Sequence, residues 1–206
     1  MRMKCLCGMV LMDNIFVKNL SKSYGDKLVF ENLDIVLNYK KTTCIMAPSG
    51  AGKTTLLRIL MGLERPDSGS VAGLEQKRFS AVFQEERLCE NMTAVENIRM
   101  VTPSLGRQIV MQEIDRLGLG NCDSQPVSEL SGGMRRRVSI LRALLAEYDI
   151  LFLDEPFKGL DDALKEQVMA YVREKTGDKT VIFVTHDKKE AIALKAHIIE
   201  PLKKNR

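Results

Sequence analysis

A glycine-rich stretch in the first quarter of the chain has the composition of a phosphate-binding loop. It consists of Ala47, Pro48, Ser49, Gly50, Ala51, Gly52, Lys53 and Thr54. In a loop of this kind that opens a helix, uncovered backbone N–H groups and the positive helix end converge on an anion. The lysine can reach the β- and γ-phosphates, and the threonine hydroxyl is placed to bind Mg²⁺. The stretch therefore predicts a nucleoside triphosphate site.

One residue of this loop departs from the usual glycine pattern. Ala47 stands where the first glycine is common. Alanine adopts most backbone conformations except those with positive φ, so we expect binding to survive. An incidental Gly/Ser-rich loop is the alternative, but the apolar strand before the loop and the helical pattern after it favour the phosphate site.

Two acidic residues follow the apolar run 150–153 and predict a catalytic sheet edge. A buried parallel strand presents its carboxyl end where ligands of such sheets bind. Asp154 can hold magnesium, directly or through water, while Glu155 can orient and deprotonate an attacking water. His186 ends the next apolar strand and can donate a hydrogen bond to the γ-phosphate. Taken alone, the acidic pair is also typical of surface charge, and the histidine of a structural role.

A second candidate anion site lies between these two motifs. Ser131, Gly132 and Gly133 precede a strongly helical stretch, 134–147. The serine hydroxyl and the exposed N–H groups at this helix start can bind an anion. An ordinary helix cap is an equally good interpretation of this segment by itself.

The element pattern that must position these residues predicts an α/β fold. Residues 13–46 alternate as an antiparallel set of short strands that ends in the apolar strand 43–46, and a helix follows over 53–63. Short strands are expected at 69–72 and 79–83. From residue 149 the order is strand (149–153), helix (162–175), strand (180–184), helix (187–195) and strand (196–200). This alternation predicts a mostly parallel sheet with helices on both faces.

The middle of the chain, 88–147, has helical periods and no convincing strand. We expect one domain over 1–206, in which a core of 13–87 and 148–200 receives this inserted helical subdomain. A length of 206 residues with 45% apolar residues supports one large core.

Composition excludes several classes of protein. No apolar run approaches the roughly 18 residues of a membrane-spanning helix. Net charge is +4 with both signs interspersed, so Arg135, Arg136 and Arg137, like the 203–206 tail, are expected to be solvated surface, and no direct nucleic-acid partner is expected. The five cysteines lack disulfide or metal spacing and predict free thiols in a cytoplasm. Residues 1–12 do not resemble a signal peptide and indicate either a tail or a start placed too far upstream.

In order, these motifs closely resemble the ATP-binding subunits of ABC transporters, from about residue 13 onward. The resemblance makes residues 47–54 the Walker A motif, 130–133 the signature, Asp154 and Glu155 Walker B, 159–161 the D-loop and His186 the switch histidine. It adds Tyr24 as the aromatic that stacks on adenine, Thr55 as a further ATP contact, and Gln84 as the Q-loop residue. Met134 departs from the glutamine that is commonest after Ser-Gly-Gly.

The resemblance implies an ATPase with ATP and Mg²⁺ as ligands. Glu155, His186, Lys53 and Gln84 are the expected catalytic residues, and Thr54, Gln84 and Asp154 the expected metal contacts. Two subunits, expected to be identical, would associate head to tail, so that Ser131, Gly132 and Gly133 act on the partner's ATP. Further expected partners are transmembrane permease subunits and an extracytoplasmic solute-binding protein, with this chain peripheral on the cytoplasmic face of the cell membrane.

The sequence Glu155-Pro156-Phe157 before the D-loop resembles importers of nitrate, sulfonate and taurine. The segment 87–93 lacks the Leu-Leu-Pro-Trp run frequent in that group. Two other functions remain open at this point: a non-transport ABC ATPase that acts on nucleic acid or ribosomes, and a regulatory subunit that binds ATP without hydrolysing it.

Overall fold

The structure is a computed structural model that describes residues 14–120 and 124–202. The strands are β1 (Asn14–Tyr24), β2 (Lys27–Asn38), β3 (Thr42–Met46), β4 (Ser68–Ala72), β5 (Phe79–Val82), β6 (Ile150–Asp154), β7 (Thr180–Thr185) and β8 (His197–Ile199). The helices are α1 (Lys53–Leu60), α2 (Ala94–Arg99), α3 (Arg107–Arg116), α4 (Gly132–Leu145), α5 (Asp162–Thr176) and α6 (Lys188–Ala193), with a 3₁₀ turn at Val127–Glu129.

A five-stranded sheet in the order β5-β6-β7-β3-β8 forms the centre of the fold, and all of its strand pairs are parallel. Every residue of β6 and β7 is buried. Parallel strands covered on both faces have continuous apolar sequences instead of alternating ones, which is the pattern of 150–153 and 180–184. The predicted α/β class with a parallel sheet is confirmed.

The two faces of this sheet are covered differently. One face packs against residues of α4, α5 and α6. The other packs against α1 together with the antiparallel sheet β2-β1-β4. The expectation of helices on both faces is confirmed, and on the α1 side the antiparallel sheet shares the face, because β1 and β2 direct apolar side chains such as Ile15, Val17 and Leu37 towards it.

The described part of segment 88–147 is helical, as expected, and its strand-like pairing is limited to a single bridge between Thr93 and Pro126. A capping box starts α2, since Thr93 and Glu96 satisfy each other's backbone N–H groups. These helices share one apolar core with the parallel sheet. We keep 88–147 as a proposed subdomain within the single domain.

Several predicted element ends differ by one to three residues. The helix predicted over 53–63 ends at Leu60, because Gly62 takes a positive φ of 70° and its N–H donates to the Ile59 carbonyl. The last helix begins at Lys188 because the Asp187 side chain caps it, accepting from the Lys189 N–H.

The expectation of a solvated arginine cluster is wrong for two of its three members. Arg136 is 3% exposed and Arg137 9% exposed, since the period of α4 turns both inward. Their guanidinium groups donate to backbone carbonyls, which satisfies charges that would otherwise be expensive to bury. The basic tail 203–206 lies outside the described residues.

Other composition-based expectations are only partly covered by the structure. Within 14–120 and 124–202, Cys44 and Cys89 are free thiols, while Cys5, Cys7 and Cys122 lie outside the described residues, as does the 1–12 segment. In the part of the chain described, no helix combines the length and the hydropathy that crossing a membrane requires.

A partly buried charge network joins α5 to α6 and to the residue before it. Lys165 Nζ lies 2.9 Å from Asp187 Oδ2 and 2.6 Å from Glu190 Oε1. Thr185 Oγ1 donates to Glu190 Oε2 at 2.6 Å. The hydrogen bond from Lys165 is the largest influence on Asp187 and holds its pKa below the ordinary value. Because Asp187 follows His186 directly, this network fixes the position of the histidine loop.

We expect Lys165→Met to lower the free energy of unfolding by about 3 kcal/mol near neutral pH, because it leaves buried Glu190 without its cation. The lowered pKa of Asp187 gives stability that is present above the ordinary aspartate pKa and lost as pH falls through the folded-state value. The difference between wild type and variant should therefore shrink once pH falls below the ordinary aspartate pKa of about 3.9. Urea unfolding at both pH values measures this.

Lys188→Met is the control for this prediction, since Lys188 is an exposed lysine on α6. It should change stability little at either pH. An equal loss for Lys165→Met at both pH values would show that its charge does not act on Asp187.

Candidate functional site

The glycine-rich loop connects β3 of the parallel sheet to α1 and has a conformation that requires its glycines. Gly50 and Gly52 have positive φ values of 78° and 89°. A Cβ on Gly52 would lie 2.3 Å from Cγ1 of Val29 and 3.2 Å from Cδ1 of Phe30. Glycine at this position therefore allows both the turn and the close packing of β2 against the loop.

Lys53 is a buried cation at the first position of α1. Lys53 is 6% exposed, and its Nζ donates to the carbonyls of Ala47 at 2.8 Å and Pro48 at 2.9 Å. Ala47 itself is not among the residues with positive φ, which is why alanine fits where glycine is usual. The loop thus holds one positive charge against its own backbone, and survival of nucleotide binding with Ala47 stays a prediction.

Asp154 ends β6 and is suited to hold a cation. It is 4% exposed, and burial raises its pKa, while a hydrogen bond with the Thr54 side chain acts in the opposite direction. A buried carboxylate beside a hydroxyl offers the hard oxygen ligands that Mg²⁺ prefers, with the remaining positions left to phosphates and water. Within the described residues no group of three His, Cys, Asp or Glu side chains forms a complete metal site. Magnesium therefore fits here as a companion of a bound nucleotide.

Glu155 directly follows the strand and has a left-handed backbone with φ of 44°, which is uncommon for a residue other than glycine. Its N–H donates to the Val184 carbonyl of β7 at 3.0 Å. The carboxylate lies 3.4 Å from His186 Nδ1 and 3.6 Å from Lys158 Nζ. The backbone turn thus directs this carboxylate to a point where a histidine and a lysine meet it.

The structure brings most of the predicted site residues into one cavity of about 260 Å³. Its lining consists of Tyr24, Lys27, Val29, Ser49, Gly50, Gly52, Lys53, Thr54, Thr55, Gln84, Glu155 and Lys158. A second cavity of about 470 Å³ shares Thr54 and Gln84 with the first and adds Asp154. The glycine-rich loop, the Q-loop segment and the carboxyl end of β6 therefore surround a common space, whereas His186 lines neither cavity and contacts the site through Glu155.

Tyr24 lies at this cavity with its position fixed by neighbours that the sequence did not indicate. Its hydroxyl donates to Glu64, and Lys22 Nζ lies 5.1 Å from the centre of its ring. The hydrogen bond from Tyr24 lowers the pKa of Glu64. Tyr24 is 48% exposed, so an aromatic side chain is available at the cavity, and its role in stacking on adenine stays a prediction.

The Ser-Gly-Gly segment is not brought to this cavity. Ser131 caps α4, and its Oγ accepts from the Met134 N–H at 3.3 Å. Ser131 and Gly132 are exposed, and none of the three residues is in the lining of either cavity. A Cβ on Gly133 would lie 3.7 Å from Leu160 Cδ2, which places the segment beside the 159–161 turn. One chain thus holds two separate candidate anion-binding ends.

Sequence reasoning missed several cations at or beside the site, of which Lys158 and Arg136 contact Glu155. Lys158 was identifiable in principle, because it lies three residues after Glu155 on the same loop. Arg136 was not, because its partners, Phe83 and Glu155, are 53 and 19 residues away and meet it only in the folded chain.

Comparisons with known proteins agree with this geometry. The model of the family described as "ABC transporter" matches residues 30–158. CysA of Chlorella vulgaris, described as a sulfate/thiosulfate import ATP-binding protein, is 32% identical over 203 residues, which cover 90% of this chain and 86% of the relative. FbpC of Brucella abortus, an Fe(3+) ions import ATP-binding protein, is 34% identical over 203 residues, 90% of this chain and 58% of the relative.

PotA of Pasteurella multocida, a spermidine/putrescine import ATP-binding protein, is also 34% identical. The match covers 90% of this chain and 55% of that relative. This chain thus spans little more than half the length of these two bacterial relatives. Among solved structures, a dimeric bacterial ABC transporter cassette superposes with a TM-score of 0.77 at 28% identity, covering 92% of this chain and 94% of that one.

The same bacterial cassette in a dimeric post-hydrolysis state bound to ADP and Pi gives a TM-score of 0.78 at 26% identity, covering 93% of this chain and 97% of that one. Both the sequence and the fold therefore match an ABC transporter cassette over most of the chain, and the chain belongs to the ABC transporter family.

Proposed function

We propose that this chain powers the import of a small solute by hydrolysing ATP between two copies of itself, bound to separate membrane-spanning permease subunits. The observation that carries the proposal is the shared cavity, which joins Lys53, Thr54, Gln84 and Glu155 beside the buried carboxylate of Asp154. Two relatives that are 32% and 34% identical to this chain are described as import ATP-binding proteins.

The residues in and beside the cavity support separate roles for Lys53, Glu155 and His186 in ATP hydrolysis. Lys53 would place its buried positive charge beside the phosphates, where the attraction between the two charges is stronger than in water. Glu155 would accept a proton from the attacking water. His186, whose Nδ1 lies 3.4 Å from the Glu155 carboxylate, would orient that carboxylate. When bound, Mg²⁺ would neutralise phosphate charge, held by Thr54 and Asp154 with Gln84 nearby.

The separation of the two anion-binding ends supports a head-to-tail dimer. Ser131 and Gly132 are exposed and lie outside the cavity of their own chain. A helix start with an exposed serine and backbone N–H groups is suited to bind phosphate. We infer that it does so on the ATP held by a second subunit, and a structure of a dimeric ABC cassette that resembles this chain supports the association.

The sequence motif and the relatives point to different solutes. Glu155-Pro156-Phe157 favours importers of nitrate, sulfonate and taurine type. The relatives reported above are described as import proteins for sulfate/thiosulfate, Fe(3+) ions and spermidine/putrescine. Both indications agree on import of a small solute and differ on its identity. We retain the nitrate, sulfonate and taurine group as a hypothesis, together with an extracytoplasmic solute-binding protein as a further partner.

A surface suited to a permease subunit lies at the edge strand β5. A cleft of about 810 Å³ there is lined by side chains of β5, the 101–105 loop and the end of α4. Val101 and Phe79 within this lining are 42% and 36% exposed, and neighbouring Met100 is 52% exposed. Contiguous exposed apolar side chains mark interaction surfaces, so this cleft supports binding of a partner on the membrane.

We expect the chain to co-purify with a multi-spanning membrane protein when both are produced from their own genome. Val101→Glu should lower the recovered permease severalfold without changing ATP hydrolysis by the isolated chain. Ile192→Glu, at an apolar residue on α6 that is 64% exposed, is the matched control and should leave recovery unchanged. Recovery with RNA or ribosomes in place of a membrane protein would contradict the proposed function.

Glu155→Gln should abolish ATP hydrolysis and leave ATP binding intact, because an amide keeps the shape of the side chain and cannot accept the proton. ATP should then trap a dimer, detectable by size-exclusion chromatography with light scattering. Lys53→Ala is the comparison variant: it removes the buried cation, so it should weaken nucleotide binding and form no such dimer. A monomeric, fully active Glu155→Gln variant would refute the assigned role.

A further inference from the structure

Arg136 is the buried member of a cluster that composition alone assigned to the surface. It lies on the first turns of α4 and is 3% exposed. Burial lowers its pKa, while the nearby carboxylates of Glu86, Asp154 and Glu155 act in the opposite direction. A buried guanidinium is costly unless its hydrogen bonds compensate for the lost water, so its partners identify what it does.

Those partners are the backbones of two separate site loops. Arg136 Nη1 donates to the Phe83 carbonyl at 2.6 Å, and Nη2 donates to the Glu155 carbonyl at 3.0 Å. Phe83 directly precedes Gln84, which lines both cavities of the site. One rigid, planar group therefore spans the distance between the Q-loop and the catalytic carboxylate loop, as the fork geometry of arginine allows.

The bond to Glu155 acts on a strained position. A left-handed backbone is strained for a residue with a side chain, and Glu155 has φ of 44°. Its carbonyl accepts from Arg136 and from the Lys158 N–H at 3.2 Å, and its own N–H donates to Val184. Arg136 thus supplies one of the three hydrogen bonds that hold this peptide in the conformation that directs the carboxylate.

The remaining nitrogen argues against a purely structural role. Nε of Arg136 is buried and has no hydrogen-bond partner among the described residues. An apolar side chain of similar size would fill the same space without this unsatisfied group or the burial of a charge. What such a side chain could not do is fix two carbonyls at a set separation.

Arg136 lies on the same helix as Ser131, the residue proposed to meet the ATP of the partner subunit. The cap residue Ser131 and Arg136 are five residues apart, about 7.5 Å along a helix. Because a short helical segment is stiff, a displacement of Ser131 when it meets a partner's phosphate moves Arg136 as well. The contacts of Arg136 then pass this displacement to Phe83 and Glu155 of the same chain.

We propose that Arg136 is a positioning residue that fixes Gln84 and Glu155 relative to each other and couples them, through α4, to Ser131 at the partner's ATP. The inference rests on the proposed function, since it assumes hydrolysis in this cavity and a head-to-tail dimer. Arg136 itself contacts no nucleotide in this scheme and acts only through the two loops.

The test is Arg136→Lys, which keeps the charge and much of the side chain but can reach only one of the two carbonyls. We expect kcat for ATP hydrolysis to fall about tenfold or more, since small misplacements of catalytic groups carry losses of this size. The ATP dissociation constant should stay within about twofold, because the phosphate loop is untouched. The Hill coefficient for ATP should fall towards one.

Arg142→Lys is the matched control. Arg142 is on the same helix, is partly buried and also donates to a backbone carbonyl, that of Glu86 at 3.2 Å, but contacts neither Phe83 nor Glu155. It should keep kcat and cooperativity close to wild type. In a Glu155→Gln background, Arg136→Lys should leave the ATP-trapped dimer intact, because trapping does not require a positioned base.

Three outcomes would overturn the inference: unchanged kcat in Arg136→Lys, a loss of ATP affinity and thermal stability parallel to the loss of kcat, or an equal loss in Arg142→Lys. If Arg136→Lys does not fold, Arg136→Gln gives the same comparison, and failure of both to fold would show that Arg136 supports the fold itself. Wild-type protein without ATP hydrolysis would instead overturn the proposed function.

Discussion

The candidate site depends on three buried parallel strands ending at one level. Met46 of β3 pairs with Thr185 of β7, and Asp154 of β6 pairs with Val184 of β7. Because both faces of β6 and β7 are covered, polar groups can leave these strands only at their carboxyl ends. The phosphate loop, the acidic pair and His186 therefore emerge side by side, and the covering helices and second sheet serve to keep the strands dry and in register.

The same burial sets the electrostatics of the site. Lys53, Asp154 and Arg136 are all at most 6% exposed, in a region where charges interact strongly because water is excluded. The protein meets this cost with backbone carbonyls around Lys53 and Arg136 and with a hydroxyl at Asp154. Charge that is fixed before a nucleotide arrives needs little reorganisation during the reaction, which is the usual source of electrostatic catalysis.

Much of this arrangement follows from local sequence. The parallel strands are visible as continuous apolar runs, and the phosphate loop as glycines between a strand and a helix, because each pattern reflects a short-range requirement. The buried roles of Arg136 and Lys165 are not visible in this way. Arg136 meets a carbonyl 53 residues away, and Lys165 meets Asp187 22 residues away, so their burial depends on how distant elements pack. For the same reason, the second sheet on the α1 face could not be placed from strand patterns alone.

The most direct test of a site completed in trans is the ATPase activity per subunit, measured as a function of protein concentration and compared with the oligomeric state at each concentration. If Ser131 of one chain completes the cavity of another, specific activity should rise as the dimer forms and then level off. A specific activity that stays constant down to concentrations at which the chain is monomeric would show that one chain completes its own site, and would contradict the head-to-tail arrangement.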